Sequence, residues 1–127
     1  MKRVLIASHH IPNLAILRDY LEAADRQVFA AENADQVAEL LERRDPHVVV
    51  LDLDISNVCF HCEQIKATVG LTRTLVLMIA SLDRSDELQK AIECGINDFI
   101  AMPVEKGEIV RRVENLAAVS LFGRNKN

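Results

Sequence analysis

Short unbroken apolar runs alternate along this chain with longer segments whose apolar residues recur every three or four positions. Val4 to Ala7, Val28 to Ala31, Val48 to Leu51 and Leu75 to Ala80 are nearly continuous hydrophobic runs, and a shorter fifth, Phe99 to Ala101, precedes Pro103. Runs of this kind read as strands buried on both faces. Between them, Leu14, Leu17, Leu21 and Ala24 repeat at helical spacing, as do Val37, Leu40 and Leu41, then Leu88, Ala91 and Ile92, then Ile109, Val113 and Leu116. Five βα units in a row predict an α/β fold, an open doubly wound sheet of five parallel strands with helices on both faces.

Local signals agree with that register. Pro12 is placed to open the first helix, Asn33 to cap the second, and Ser85 or Asp83 to cap the fourth. Gly95, after Cys94, reads as a helix stop. In open parallel sheets the functional crevice lies at the carboxyl ends of the strands, beside a topological switch point. Those ends are Ser8-His9-His10, Asp52-Leu53-Asp54, Ala80-Ser81 and Ala101-Met102.

Bulk properties narrow the function. The 127 residues suffice for one domain with a proper core. A net charge of -4 gives no electrostatic reason to expect nucleic acid or an anionic membrane as partner, and the absence of Trp leaves little stacking surface for single strands. No apolar stretch approaches the roughly 20 residues that span a bilayer. Three cysteines, an odd number, suggest a reducing cytoplasm, and the expected localisation is cytoplasmic. His47, beside Pro46, reads as a solvated loop residue, Cys94 as small core packing, and residues 123–127 as a frayed tail after a domain spanning 1–122.

Three strings at the right separations carry a family resemblance. They are Val48-Val49-Val50-Leu51-Asp52-Leu53-Asp54, Glu93-Cys94-Gly95-Ile96-Asn97-Asp98-Phe99-Ile100, and Met102-Pro103-Val104. The chain resembles a response-regulator receiver domain from Lys2 to about Leu121, which implies a flavodoxin-like strand order 2-1-3-4-5 and Asp52 at the phospho-acceptor position. In the family, two acidic residues at the end of the first strand hold Mg²⁺, and a lysine contacts the incoming phosphoryl group. Here the acidic pair aligns with Ser8 and His9, and the lysine with Met102. The hydroxyl residue after the fourth strand aligns with Ala80, with Ser81 one position on. The switch aromatic aligns with Phe99, which lacks a hydroxyl. Magnesium needs near-octahedral oxygen ligands, which a hydroxyl and an imidazole do not replace. Phosphoryl transfer draws nearly all its acceleration from positioning and charge stabilisation.

The expectation is therefore an atypical receiver of bacterial two-component signalling. It uses no cofactor, binds Mg²⁺ weakly or not at all, and serves as a phosphorylation-independent interaction module. A lone Asp52 would pair with His9. Partners would be a histidine kinase, another regulator or a scaffold, with a homodimer also open. The resemblance assigns the contact face to helix four, strand five and helix five, through Arg84, Lys90, Phe99, Arg111 and Arg112, beside Glu87 and Glu114.

Two alternatives stay open: weak phosphorylation at Asp52, supported by Asp54, and a metal or redox sensor built from His9, His10, Asp52, Cys59 and Cys62. The spacing C-x₂-C and the ligand types suit zinc or a redox pair, although residues three apart also share a helical face without any metal. A conventional enzyme is not expected, because the chain has neither a Gly-rich phosphate loop nor a G-x-S-x-G elbow.

Overall fold

The computed structural model describes residues 1–52, 58–69, 74–81, 83 and 85–125. Strands β1 (Lys2–Ala7), β2 (Arg26–Ala31), β3 (Val48–Asp52), β4 (Leu75–Ala80) and β5 (Asp98–Ala101) alternate with helices α1 (Ile11–Leu21), α2 (Ala34–Arg44), α3 (Val58–Val69), α4 (Ser85–Glu93) and α5 (Lys106–Asn125). All strand pairs are parallel, in the order β2-β1-β3-β4-β5.

The apolar runs divide by parity, because successive side chains on a strand point to opposite faces. Val4, Ile6, Val48, Val50, Leu77 and Ile79 meet Leu14, Leu17 and Leu21 of α1 and Ile109, Val113 and Ala117 of α5. Leu5, Ala7, Val49, Leu51 and Val76 meet Val37 and Leu41 of α2 and Cys62 and Ile65 of α3. Met78 and Ala80 meet α4 through Ala91, with Leu88 and Ile96 partly buried beside them. Burying one leucine-sized side chain contributes roughly 1.5–3 kcal/mol, so α1 and α5 are seated far more firmly than α4.

Helix ends follow their local chemistry. The Asn33 carboxamide accepts from the Gln36 N–H at 2.9 Å, capping α2 as expected. His10 caps α1, its Nδ1 accepting from the Asn13 N–H at 3.2 Å, with Pro12 in the first turn. α1 ends at Leu21, short of the predicted Ala24. The Arg26 guanidinium donates to the Leu21 carbonyl at 2.7 Å and so satisfies one of the helix's terminal acceptors. α4 begins at Ser85, and Gly95 ends it with φ +98, a conformation that favours glycine. Ile92, expected on the inward face of α4, is 47% exposed, because the helix turns only a narrow stripe to the sheet.

Two further expectations are corrected. His47 is 2% exposed. It continues the β1–β3 pairing, accepting at Nδ1 from the Arg3 N–H at 2.9 Å while its own N–H donates to the Arg3 carbonyl at 2.8 Å. Burial, reinforced by the nearby Arg124 and Arg3 charges, lowers its pKa to about 4. Residues 123–125, read from the sequence as part of a tail, continue α5, which runs to Asn125. The Arg124 guanidinium bonds the Asp45 carboxylate at 2.9 Å and the Pro46 carbonyl at 3.0 Å. Asp45 itself sits in the left-handed region at the end of α2.

Candidate functional site

The carboxyl ends of β1 and β3 lie side by side, with Ala7 opposite Leu51, which brings the next residues, Ser8 and Asp52, together. Asp52 is 4% exposed, and its Oδ2 accepts a hydrogen bond from the Ser8 hydroxyl at 2.9 Å. Ser8 is itself fully buried, and its Oγ also accepts from the His10 N–H at 3.1 Å. A neutral hydroxyl thus holds the carboxylate from the position where the resemblance places an acidic ligand. The predicted His9–Asp52 pairing is corrected. His9 is exposed, and β1 turns its successor side chains alternately, so Ser8 faces Asp52 while His9 faces outward.

Beyond Asp52 lies a cavity of about 180 Å³ between α1 and the segment after β5, walled by Ile16, Tyr20, Met102 and Val104. Met102, which the resemblance sets at a lysine position, is 44% exposed. Its backbone N–H donates to the Ala80 carbonyl at 2.9 Å, extending the β4–β5 ladder by one residue. Ala80 is buried against Met78 and α4. The Ser81 hydroxyl donates to the Asp83 carboxylate and is thereby turned to its own loop. Asp54 and Arg84 lie outside the described residues. The cavity walls contributed by α1 were missed in the sequence, where Ile16 and Tyr20 look like ordinary surface positions of an amphipathic helix.

The cysteines assort differently from their spacing. Cys59 is disulfide-bonded to Cys94, 35 residues away, with Cα atoms 5.4 Å apart, and Cys62 is a buried free thiol. Residues three apart on a helix differ by about 60° in direction. Cys62 therefore enters the core beside Ile65, while Cys59 reaches sideways to α4. Burial pushes the Cys62 thiol pKa up. The readings of Cys94 as simple packing and of Cys59 with Cys62 as a pair are both corrected, and the expectation of reduced cysteines fails for two of the three. Among the described residues, no three His, Cys, Asp or Glu side chains converge as a metal site, so His9, His10, Asp52, Cys59 and Cys62 are not brought together.

On the expected partner face, Lys90, Phe99 and Arg111 are exposed. Arg112 is half-buried and bonds Asp98 at 2.8 Å. Glu114 belongs to another cluster, accepting from Lys2 at 3.0 Å beside Arg26 at 3.4 Å. Among the described residues no helix is long and apolar enough to cross a membrane.

Comparison with known proteins agrees with this geometry. The chain is 25% identical over 123 residues to the virulence sensor protein BvgS of Bordetella bronchiseptica, covering 91% of this chain and 10% of that protein. It is 27% identical over 116 residues to the transcriptional regulatory protein BaeR of Escherichia coli, covering 90% of this chain and 47% of that one. The chain thus spans a tenth to a half of the length of these relatives. Among solved structures, the receiver domain of a Pseudomonas aeruginosa sensor histidine kinase, with a magnesium ion in its active-site cleft, superposes with a TM-score of 0.81 at 15% identity, over 92% of this chain and 98% of that one. NtrX of Brucella abortus, in complex with ATP, gives 0.84 at 20% identity, over 97% of this chain and 28% of that one. Residues 4–114 match the response regulator receiver domain, and with the 2-1-3-4-5 sheet and an aspartate closing its third strand, the chain belongs to that family.

Proposed function

We propose that this receiver domain of two-component signalling works mainly without phosphorylation, as a protein-interaction module. The observation that carries the reading is the buried Ser8–Asp52 hydrogen bond at 2.9 Å, which sets a neutral donor where the family's chemistry uses a metal-binding carboxylate. Met102 in place of a lysine removes the charge that would meet a phosphoryl group, and Ala80 removes the hydroxyl. Each loss takes electrostatic stabilisation from the transition state, and together they cost several orders of magnitude in rate. Mg²⁺ binding is correspondingly weak.

The partner is a histidine kinase, another regulator or a scaffold, docked on α4, β5 and α5. Lys90 and Arg111 offer exposed positive charge there, flanked by exposed Ile92 and Phe99. An apolar centre with a charged rim suits a protein partner. The second reading, slow phosphorylation, draws on Asp52 itself, which lines the cavity beside α1.

Intact mass after incubation with acetyl phosphate and Mg²⁺, with Asp52→Asn as control, separates the two. An unchanged mass supports the interaction module. One added phosphate that disappears in the control establishes phosphorylation instead. Charge reversal at Arg111 then weakens partner capture while Asp52→Asn leaves it intact.

A further inference from the structure

α4 is held to the rest of the molecule by little apolar packing. Its one fully buried side chain is Ala91, Leu88 is partly buried, and Ile92 faces solvent. The covalent link from Cys94, just past its last turn, to Cys59 in the first turn of α3 therefore carries much of its attachment. The surroundings of this bond suit exchange. Cys59 and Cys94 are half-buried and within reach of a small thiol, whereas Cys62 is fully buried with its thiol pKa raised. The Lys66 side chain occupies the space over Gly95 where a Cβ would stand, so it lies over the turn that follows α4. The thiolate is the species that enters thiol–disulfide exchange, and both sulfurs of this bond sit at half-buried positions where a small thiol reaches them. The Cys59 sulfur also lies 3.7 Å from the Lys90 carbonyl, so a reduced Cys59 has an acceptor waiting on α4.

We propose that Cys59 and Cys94 form a reversible thiol–disulfide site, exchanged by low-molecular-weight disulfides and thiols, whose oxidation clamps α4 to α3. In the oxidising direction, the thiolate of one cysteine attacks a sulfur of oxidised glutathione and expels one glutathione thiolate. The second cysteine's thiolate then attacks the protein sulfur of that mixed disulfide and expels the other. The two cysteine sulfurs are oxidised, the two glutathione sulfurs are reduced, and the protons lost by the cysteines end on two glutathione thiols. Because α4 belongs to the face assigned to partners, the redox state sets how firmly that face is ordered, whether or not Asp52 takes a phosphoryl group.

The test is a titration of the full chain with reduced and oxidised glutathione at neutral pH, trapped by alkylation and mapped by peptide mass. Hydrogen exchange is read on the same samples. The Cys59–Cys94 link is expected to pass from mostly formed to mostly lost across the titration, with Cys62 unlabelled until the chain is unfolded. Reduction should speed amide exchange in α4 by at least about tenfold more than in α5. The midpoint melting temperature should fall by roughly 10 °C. Cys62→Ala should keep the response and Cys94→Ser should abolish it, while the titration of the unmodified chain stands even if a variant misfolds. A bond that survives a large excess of reduced glutathione in the folded chain overturns the proposal, as does a failure of the two cysteines to pair under oxidised glutathione. Pairing of Cys59 with Cys62, or α4 exchange indifferent to redox state, overturns it equally.

Discussion

α5 and α4 cover opposite faces of one sheet by different means. α5 lays Ile109, Val113 and Ala117 into the larger core and is tied by polar groups along its length. Arg112 bonds Asp98 near its start, Glu114 receives Lys2 and Arg26 at its middle, and Arg124 reaches Asp45 and Pro46 at its end. α4 has a core of Ala91 and part of Leu88, and a disulfide to its neighbour. Attachment spread over many weak contacts is lost only on global unfolding, whereas attachment concentrated in a single bond can be released alone. The receiver scaffold thus holds one permanently seated helix and one whose seating depends on a chemical event.

The comparison is broken most severely at the core of α5. Ile109→Ala should cost about 2–5 kcal/mol, read as a lower urea midpoint, and should loosen the whole domain. A loss confined to α5 in hydrogen exchange, with the sheet unaffected, would show that the helix is as separable as α4.

Acidification probes the foot of α5. His47 has its pKa lowered to about 4 in the folded chain, against an ordinary 6.5. Between those values the unfolded chain binds more protons at this site, so stability rises with pH. The contribution is full above pH 6.5 and is lost as the pH falls toward 4, up to about 3 kcal/mol in all. The denaturation midpoint should fall with acidity across that window, and His47→Gln should flatten the slope of midpoint against pH. An unaltered slope in that variant would place the pH dependence on the carboxylates instead.

The smallest effect is expected at the other helix. Leu88→Ala should cost no more than about 1 kcal/mol while the disulfide is intact, because the side chain is only partly buried. A cost matching Ile109→Ala would erase the contrast between the two helices.

The strand runs, the capping Asn33 and the position of Asp52 were all legible because each depends on neighbours close in sequence. A run such as Val48 to Leu51 has no polar alternate, so it belongs inside a parallel sheet whatever surrounds it. That Ser8, His9 and Met102 lie at strand ends near Asp52 was equally visible, since strand ends converge in this topology. What these residues do there was less legible. Ser8 rather than His9 meets Asp52, a matter of which side of β1 each residue takes as the strand ends.

His47 and Arg124 escaped for a related reason. Each sits in a stretch whose local composition reads as loop or tail, yet β1 supplies partners for one and the end of α2 for the other. Local chemistry cannot register a partner that arrives from across the chain.

By itself, then, the sequence determined the number and order of the elements, the layered architecture and the place of Asp52 at the end of β3. These follow from hydrophobic periodicity and from the narrow choice of topologies open to consecutive βα units. Tertiary structure alone decided that Cys59 joins Cys94 and leaves Cys62 in the core, that Ile92 faces out, and that α5 is pinned at its foot. Those outcomes depend on directions and distances between elements far apart in the chain, and spacing along one helix carries no record of what the next helix brings beside it.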